Sequence, residues 1–128
     1  MIVHTFDSKQ PLVIVEVTTK VNDKLKVFYF AVDTGATITL VSEDAMKMMG
    51  YTKADSIKTT QTITASKAET VYEYNLDNIM AIGLIRHNLK VISRSLPVGL
   101  GIDGLLGLNF FKNKELTIDF KLSEIRLK

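Results

Sequence analysis

Cysteine is absent from the 128 residues. Disulfide frameworks, thiolate nucleophiles, zinc ribbons and iron–sulfur clusters are thereby excluded, and the chain suits a reducing compartment. Proline occurs only as Pro11 and Pro97, and no linker, repeat or low-complexity tract interrupts the sequence. Long apolar runs are missing too. The best candidates, 27–32, 79–85 and 104–111, fall short of the ~18 residues that a membrane span needs. The segment from Met1 to Asp7 lacks the basic-then-apolar order of a signal peptide. A cytoplasmic protein with no membrane partner is therefore expected. Nor does one sign of charge dominate: 16 Lys/Arg against 14 Asp/Glu give a net +2. The densest basic stretch, 112–128, also holds Glu115, Asp119 and Glu124. It reads as a solvated face of mixed sign rather than a phosphate-binding stripe, so no nucleic-acid partner is expected. His4 and His87 are far apart and lack metal-ligand spacing, so neither a metal nor a cofactor is expected.

What is present is a globular balance of 46% hydrophobic and 23% charged residues. A chain of 14.3 kDa folds to a surface of about 6,800 Å² from about 20,700 Å² unfolded, so it needs no staple. One domain over residues 1–128 is expected. The pattern is of short β-like segments with turn residues every ten or so positions. Residues 12–19 and 25–32 form a hairpin around Asn22-Asp23, and both faces of the second strand look buried. After a strand at 36–41, Ser42 caps a two-turn helix that ends at Gly50. A second hairpin pairs 57–65 with 70–76 around a tip at 66–69. Strands at 77–85 and 89–93 flank a turn at Arg86-His87-Asn88. Glycines 99, 101, 104 and 107 mark a tightly bent stretch, followed by a short helix at 108–112. A hairpin of 116–120 with 125–127 closes an all-β chain with two short helices.

Two local signals carry chemistry. The first is Asp33-Thr34-Gly35-Ala36, placed between apolar strands. A carboxylate at the end of a buried strand is costly unless it is hydrogen-bonded or functional. Thr34 supplies a hydroxyl, and Gly35 lets the backbone turn close to the acid. Taken alone, the tetrapeptide also reads as a plain turn. The second is Leu105-Leu106-Gly107, where Gly107 suits a close backbone crossing. A third pattern is a decoy. Gly99-Leu100-Gly101-Ile102-Asp103-Gly104 spells a dinucleotide-binding loop, but Pro97 precedes it and no parallel unit fits in the residues that follow.

In this order the elements resemble those of the single-domain, retropepsin-like aspartic proteases. The stretch from Phe30 to Thr37 is similar to the family's hydrophobic–Asp-Thr-Gly-Ala element. The stretch from Gly104 to Asn109 is similar to its hydrophobic-hydrophobic-Gly element. Viral members carry a paired Asp and Arg at the positions of Thr37 and Leu108. Both are replaced here, so no lone buried charge is left, and the chain is similar to the cellular and bacterial branch. The resemblance implies a closed acid-protease barrel with Asp33 as the catalytic residue. Thr34, Gly35, Ala36, Leu105, Leu106 and Gly107 would support the active-site loop, and Thr64, Ala65, Ser66, Lys67 and Ala68 would form a flap that lacks the viral glycine run.

The implied chemistry is peptide-bond hydrolysis by two carboxylates that share one proton. The chain has a single Asp-Thr-Gly, so the dyad requires a homodimer, with a protein or peptide as the other partner. A different class of reading keeps the fold as a non-proteolytic binding or dimerisation module. The retained Asp33-Thr34-Gly35 favours the enzyme.

Overall fold

A computed structural model describes residues 1–63, 65–97 and 99–128. Among these described residues, ten strands and one α-helix follow one another as β1 (Ile2–Thr5), β2 (Ile14–Val21), β3 (Lys24–Val32), β4 (Thr39–Val41), α1 (Glu43–Met48), β5 (Lys58–Ile63), β6 (Ala68–Ala81), β7 (Leu84–Ser93), β8 (Gly104–Leu106), β9 (Leu116–Asp119) and β10 (Glu124–Leu127). The order β2-β3-β8-β4-β7-β6 closes on itself where Val17 and Thr18 of β2 pair with Ala81 and Met80 of β6. The result is a closed six-stranded barrel, as the resemblance implies, with β5 added outside β6. Its interior is filled by fully buried Val17, Phe30, Leu76, Ile79, Val91 and Leu106.

Local chemistry explains the hairpins. Asn22 and Asp23 adopt φ of 49° and 64°, a left-handed pair whose twist matches the β2–β3 ribbon. The next long hairpin turns at Ile82-Gly83 (φ 53° and 68°), not at 86–88. Asn88 does take a positive φ of 52°, yet pairing continues on both sides of it, from Asn78 with His87 to Leu76 with Leu89. The sequence signal was a local backbone conformation inside β7, and burial of Ile82 holds a branched side chain at the true turn.

Other differences follow from packing. The expected burial of both faces of β3 occurs only at its end: Phe28 and Phe30 point inward and Ala31 is buried, while Leu25, Val27 and Tyr29 are 67%, 51% and 48% exposed. The strand expected at 36–41 shortens to Thr39–Val41, because 33–38 is occupied by a loop. The expected helix at 108–112 is a run of turns, held by Phe110 and Phe111 N–H donating three residues back to Gly107 and Leu108 carbonyls. A one-turn 3₁₀ helix instead appears at Lys53–Asp55. Helix α1 forms as its cap predicts. The Ser42 hydroxyl accepts from Ala45 N–H at 3.1 Å, and Gly50 stops the helix at φ 92°.

Strand β1, which the sequence did not announce, pairs with β10, and β10 pairs with β9 in a separate three-stranded sheet. Buried Ile125 and Leu127 dock that sheet onto the barrel. Among the described residues, no helix is long and apolar enough to cross a membrane.

Candidate active site

Asp33 is the first residue after β3. The parallel pairing of β3 with β8 matches Phe30, Ala31 and Val32 with Gly104, Leu105 and Leu106. Asp33 extends it: its N–H donates to the Leu106 carbonyl at 2.9 Å. The chain then reverses. Ala36 N–H donates to the Asp33 carbonyl at 3.1 Å, and Gly35 N–H donates to Asp33 Oδ1 at 2.9 Å. A β-carbon on Gly35 would lie only 3.2 Å from that same oxygen. Asp33 is half-buried, and Thr34 and Gly35 are exposed. No described residue donates a hydrogen bond to Asp33 Oδ2, and the Thr34 hydroxyl makes no bond within the protomer to any described residue.

The second segment is knitted to the first. Leu108 N–H donates to the Ala36 carbonyl at 2.8 Å and Asn109 N–H to the Thr37 carbonyl at 3.3 Å. Leu105 is half-buried, while Leu106 and Gly107 are buried. A β-carbon at Gly107 would meet backbone at 2.7–2.9 Å, on Ala36, Ile38 and Thr39. Only glycine permits this crossing.

Two residues that sequence reasoning did not single out as site residues lock the crossing. Thr39 is fully buried. Its N–H and its hydroxyl both donate to Asn109 Oδ1 at 2.8 Å, and its oxygen accepts from Gly107 N–H at 3.1 Å. Asn109 in turn donates through Nδ2 to the Lys90 carbonyl at 2.6 Å. The available signal was a polar residue inside the apolar run Ile38-Thr39-Leu40. Arg86 holds the turns beyond, donating to the Phe110 carbonyl at 2.8 Å and to the Lys112 carbonyl.

Among the remaining candidates, Ala65, Ser66, Lys67 and Ala68 are exposed at the tip of the β5–β6 hairpin, where Ile63 pairs with Ala68. Thr64 lies outside the described residues. Strand β5 is exposed along its whole length. No group of three or more His, Cys, Asp or Glu among the described residues could hold a metal ion. The site thus presents one carboxylate per chain, with one oxygen fixed by Gly35 N–H. A lone carboxylate serves as a base or as an acid, not as both at once.

The aspartyl protease family matches residues 17–110 of the chain. Among solved structures, the chain is similar to a retropepsin-like aspartic protease from Rickettsia conorii. That match has a TM-score of 0.72 at 20% sequence identity and covers 98% of this chain and 88% of the other. No curated protein matches the sequence.

Proposed function

The chain belongs to the aspartyl protease family, and we propose that it hydrolyses peptide bonds as a homodimer, with Asp33 of each protomer contributing to one shared dyad. The observation that carries this reading is the fixed Asp33 carboxylate, held where two interlocked glycine-bearing segments cross, in a chain with no second Asp-Thr-Gly. Two carboxylates brought to hydrogen-bond distance cannot both ionise, so the pair keeps one proton. The ionised member takes a proton from water as the water attacks the scissile carbonyl. The protonated member donates to the carbonyl oxygen. Titrations then belong to the pair. Thr34 is exposed, and its hydroxyl, bonded to no described residue of its own protomer, is available to bond across the two-fold axis. The β5–β6 hairpin, with its tip at 65–68, is the flap that closes over substrate and excludes water.

Unfolded casein, incubated from pH 3 to 7 with and without a statine inhibitor, tests the activity. Cleavage by the wild-type chain should be blocked by statine and lost in Asp33→Asn. The amide is nearly isosteric, so the mutant should fold and dimerise while turnover falls by at least ~10²–10⁴ from the loss of proton transfer. Wild-type-like cleavage by the folded mutant would assign the activity elsewhere and overturn the proposal.

A further inference from the structure

A cavity of about 340 Å³ opens between α1, the 51–53 segment, β6 and β7. None of its lining residues belongs to the 33–39 or 104–109 segments. The two-residue alternation of β6 turns Tyr72 and Tyr74 to one face, and Ser93 of β7 stands opposite Tyr72 in register. With Tyr51 they give the cavity three aromatic walls.

The Tyr51 hydroxyl is taken, accepting from Asp77 N–H at 2.9 Å, but two other hydroxyls of the lining are unspent. Tyr74 and Ser93 are only 4% and 2% exposed. Their hydroxyls bond to no described residue, yet no buried side-chain oxygen among the described residues is sealed off without a partner. Both hydroxyls therefore meet the cavity rather than packed protein. Burial first, then neighbouring Tyr72, Asp55 and Glu43, raise the pKa of the Tyr74 hydroxyl, so it stays a donor at physiological pH.

Lys47 and Lys53 line the cavity, and neither has a carboxylate within 4.0 Å among the described residues. Lys53 Nζ lies 5.2 Å from the centre of the Tyr72 ring, which holds an ammonium over the aromatic wall. Glu43 also lines the cavity, whereas Asp55, whose charge is felt at Tyr74, stands outside the lining and accepts from Thr52 N–H at 2.7 Å. The lining itself carries two ammonium groups and one carboxylate.

We propose that this cavity binds a small monoanionic aromatic acid, with its ring against the tyrosines and its carboxylate between Lys47 and Lys53. The volume is at the low end for ligand sites and matches one ring with a short acidic arm. The site is separate from Asp33 and stands whether or not the chain cleaves peptides.

Titration of the full-length, ¹⁵N-labelled protein with 3-phenylpropionate tests it. Saturable amide shifts are expected in α1, in 51–53, and at Tyr72, Tyr74 and Ser93. The neutral 3-phenylpropan-1-ol should bind more weakly by about five-fold, the weight of a partly exposed charge pair. The Lys47→Gln/Lys53→Gln double variant should lose the same discrimination while keeping its fold, because both substitutions are at the surface. The proposal is overturned if no saturable shift occurs in the millimolar range, if acid and alcohol bind equally to the wild type, or if the shifts map to the larger concavity beside Tyr29, Met80 and Leu100.

Discussion

Gly107 tolerates no side chain, and the reason is backbone rather than conformation. A β-carbon there would sit 2.7 Å from the Ala36 carbonyl oxygen and 2.9 Å from the Thr39 nitrogen, atoms that cannot rotate away. Gly107→Ala should therefore destabilise the fold by about 1–3 kcal/mol, as overpacking does, and displace the loop that carries Asp33. A lowered urea midpoint with an unchanged slope is the expected result. Asn109→Ala should cost about 1–3 kcal/mol by a different route, since it leaves the buried Thr39 N–H and hydroxyl without their acceptor. The same measurement checks it, and an unchanged midpoint would show that another group replaces Oδ1. The legible part of this site was its two short glycine-bearing motifs, because each packs a chemical need into three or four adjacent residues. Thr39 and Asn109 escaped notice as partners because the bond joins positions 70 apart, which the antiparallel pairing of β4 with β8 and the crossing at Gly107 bring together.

Hairpins were legible where turn chemistry and strand ends coincide, as at Asn22-Asp23, and misread where they separate, as at Asn88 and Ile82-Gly83. The outward face of β3 was misread because an apolar side chain reports a preference for burial, not the presence of a layer to bury it. The β9–β10 hairpin shows how one acid sets a turn. Asp119 Oδ1 accepts from Lys121 N–H at 2.9 Å and Leu122 N–H at 3.0 Å, while Oδ2 accepts from Arg126 at 3.2 Å. The Leu122 amide foremost, then Arg126 and the Lys121 amide, hold its carboxyl below the usual carboxylate range. A depressed folded pKa contributes stability above the unfolded pKa and loses it as pH falls through the folded value. Asp119→Asn should thus melt below wild type at pH 7, and the gap should close on acidification below about pH 4, the unfolded carboxylate range. A gap that persisted at pH 2 would point to packing instead. At the β5–β6 hairpin, amides 65–68 should exchange quickly in the free protein and slowly with a statine inhibitor. Equal protection in both states would remove the flap from the mechanism.

The whole molecule exposes 7946 Å², about 1,100 Å² more than a compact monomer of its mass. Part of the excess lies on the projecting β5–β6 hairpin and on exposed Leu108, Phe120 and Leu122. A standard interface covers about 800 Å² per partner, so an excess of this size is compatible with a second copy. In the terminal sheet, β10 is paired on both sides, and β1 and β9 are its outer strands. Unpaired strand edges are templates for further pairing. Sedimentation equilibrium at micromolar concentration should find a dimer, and a strict monomer even with statine would remove the shared dyad. A sharper measurement uses the symmetry itself. When wild-type and Asp33→Asn chains are mixed in equal amounts and allowed to exchange, only about one dimer in four keeps two Asp33 carboxylates. If both carboxylates are needed for one turnover, activity falls to about a quarter of that of the same total concentration of wild type. If each protomer worked alone, half would remain. The mutant chain poisons its partner only when the site is shared, so a plateau at one half, with exchange verified by mass-tagged chains, would sink the dyad while leaving a hydrolytic monomer standing.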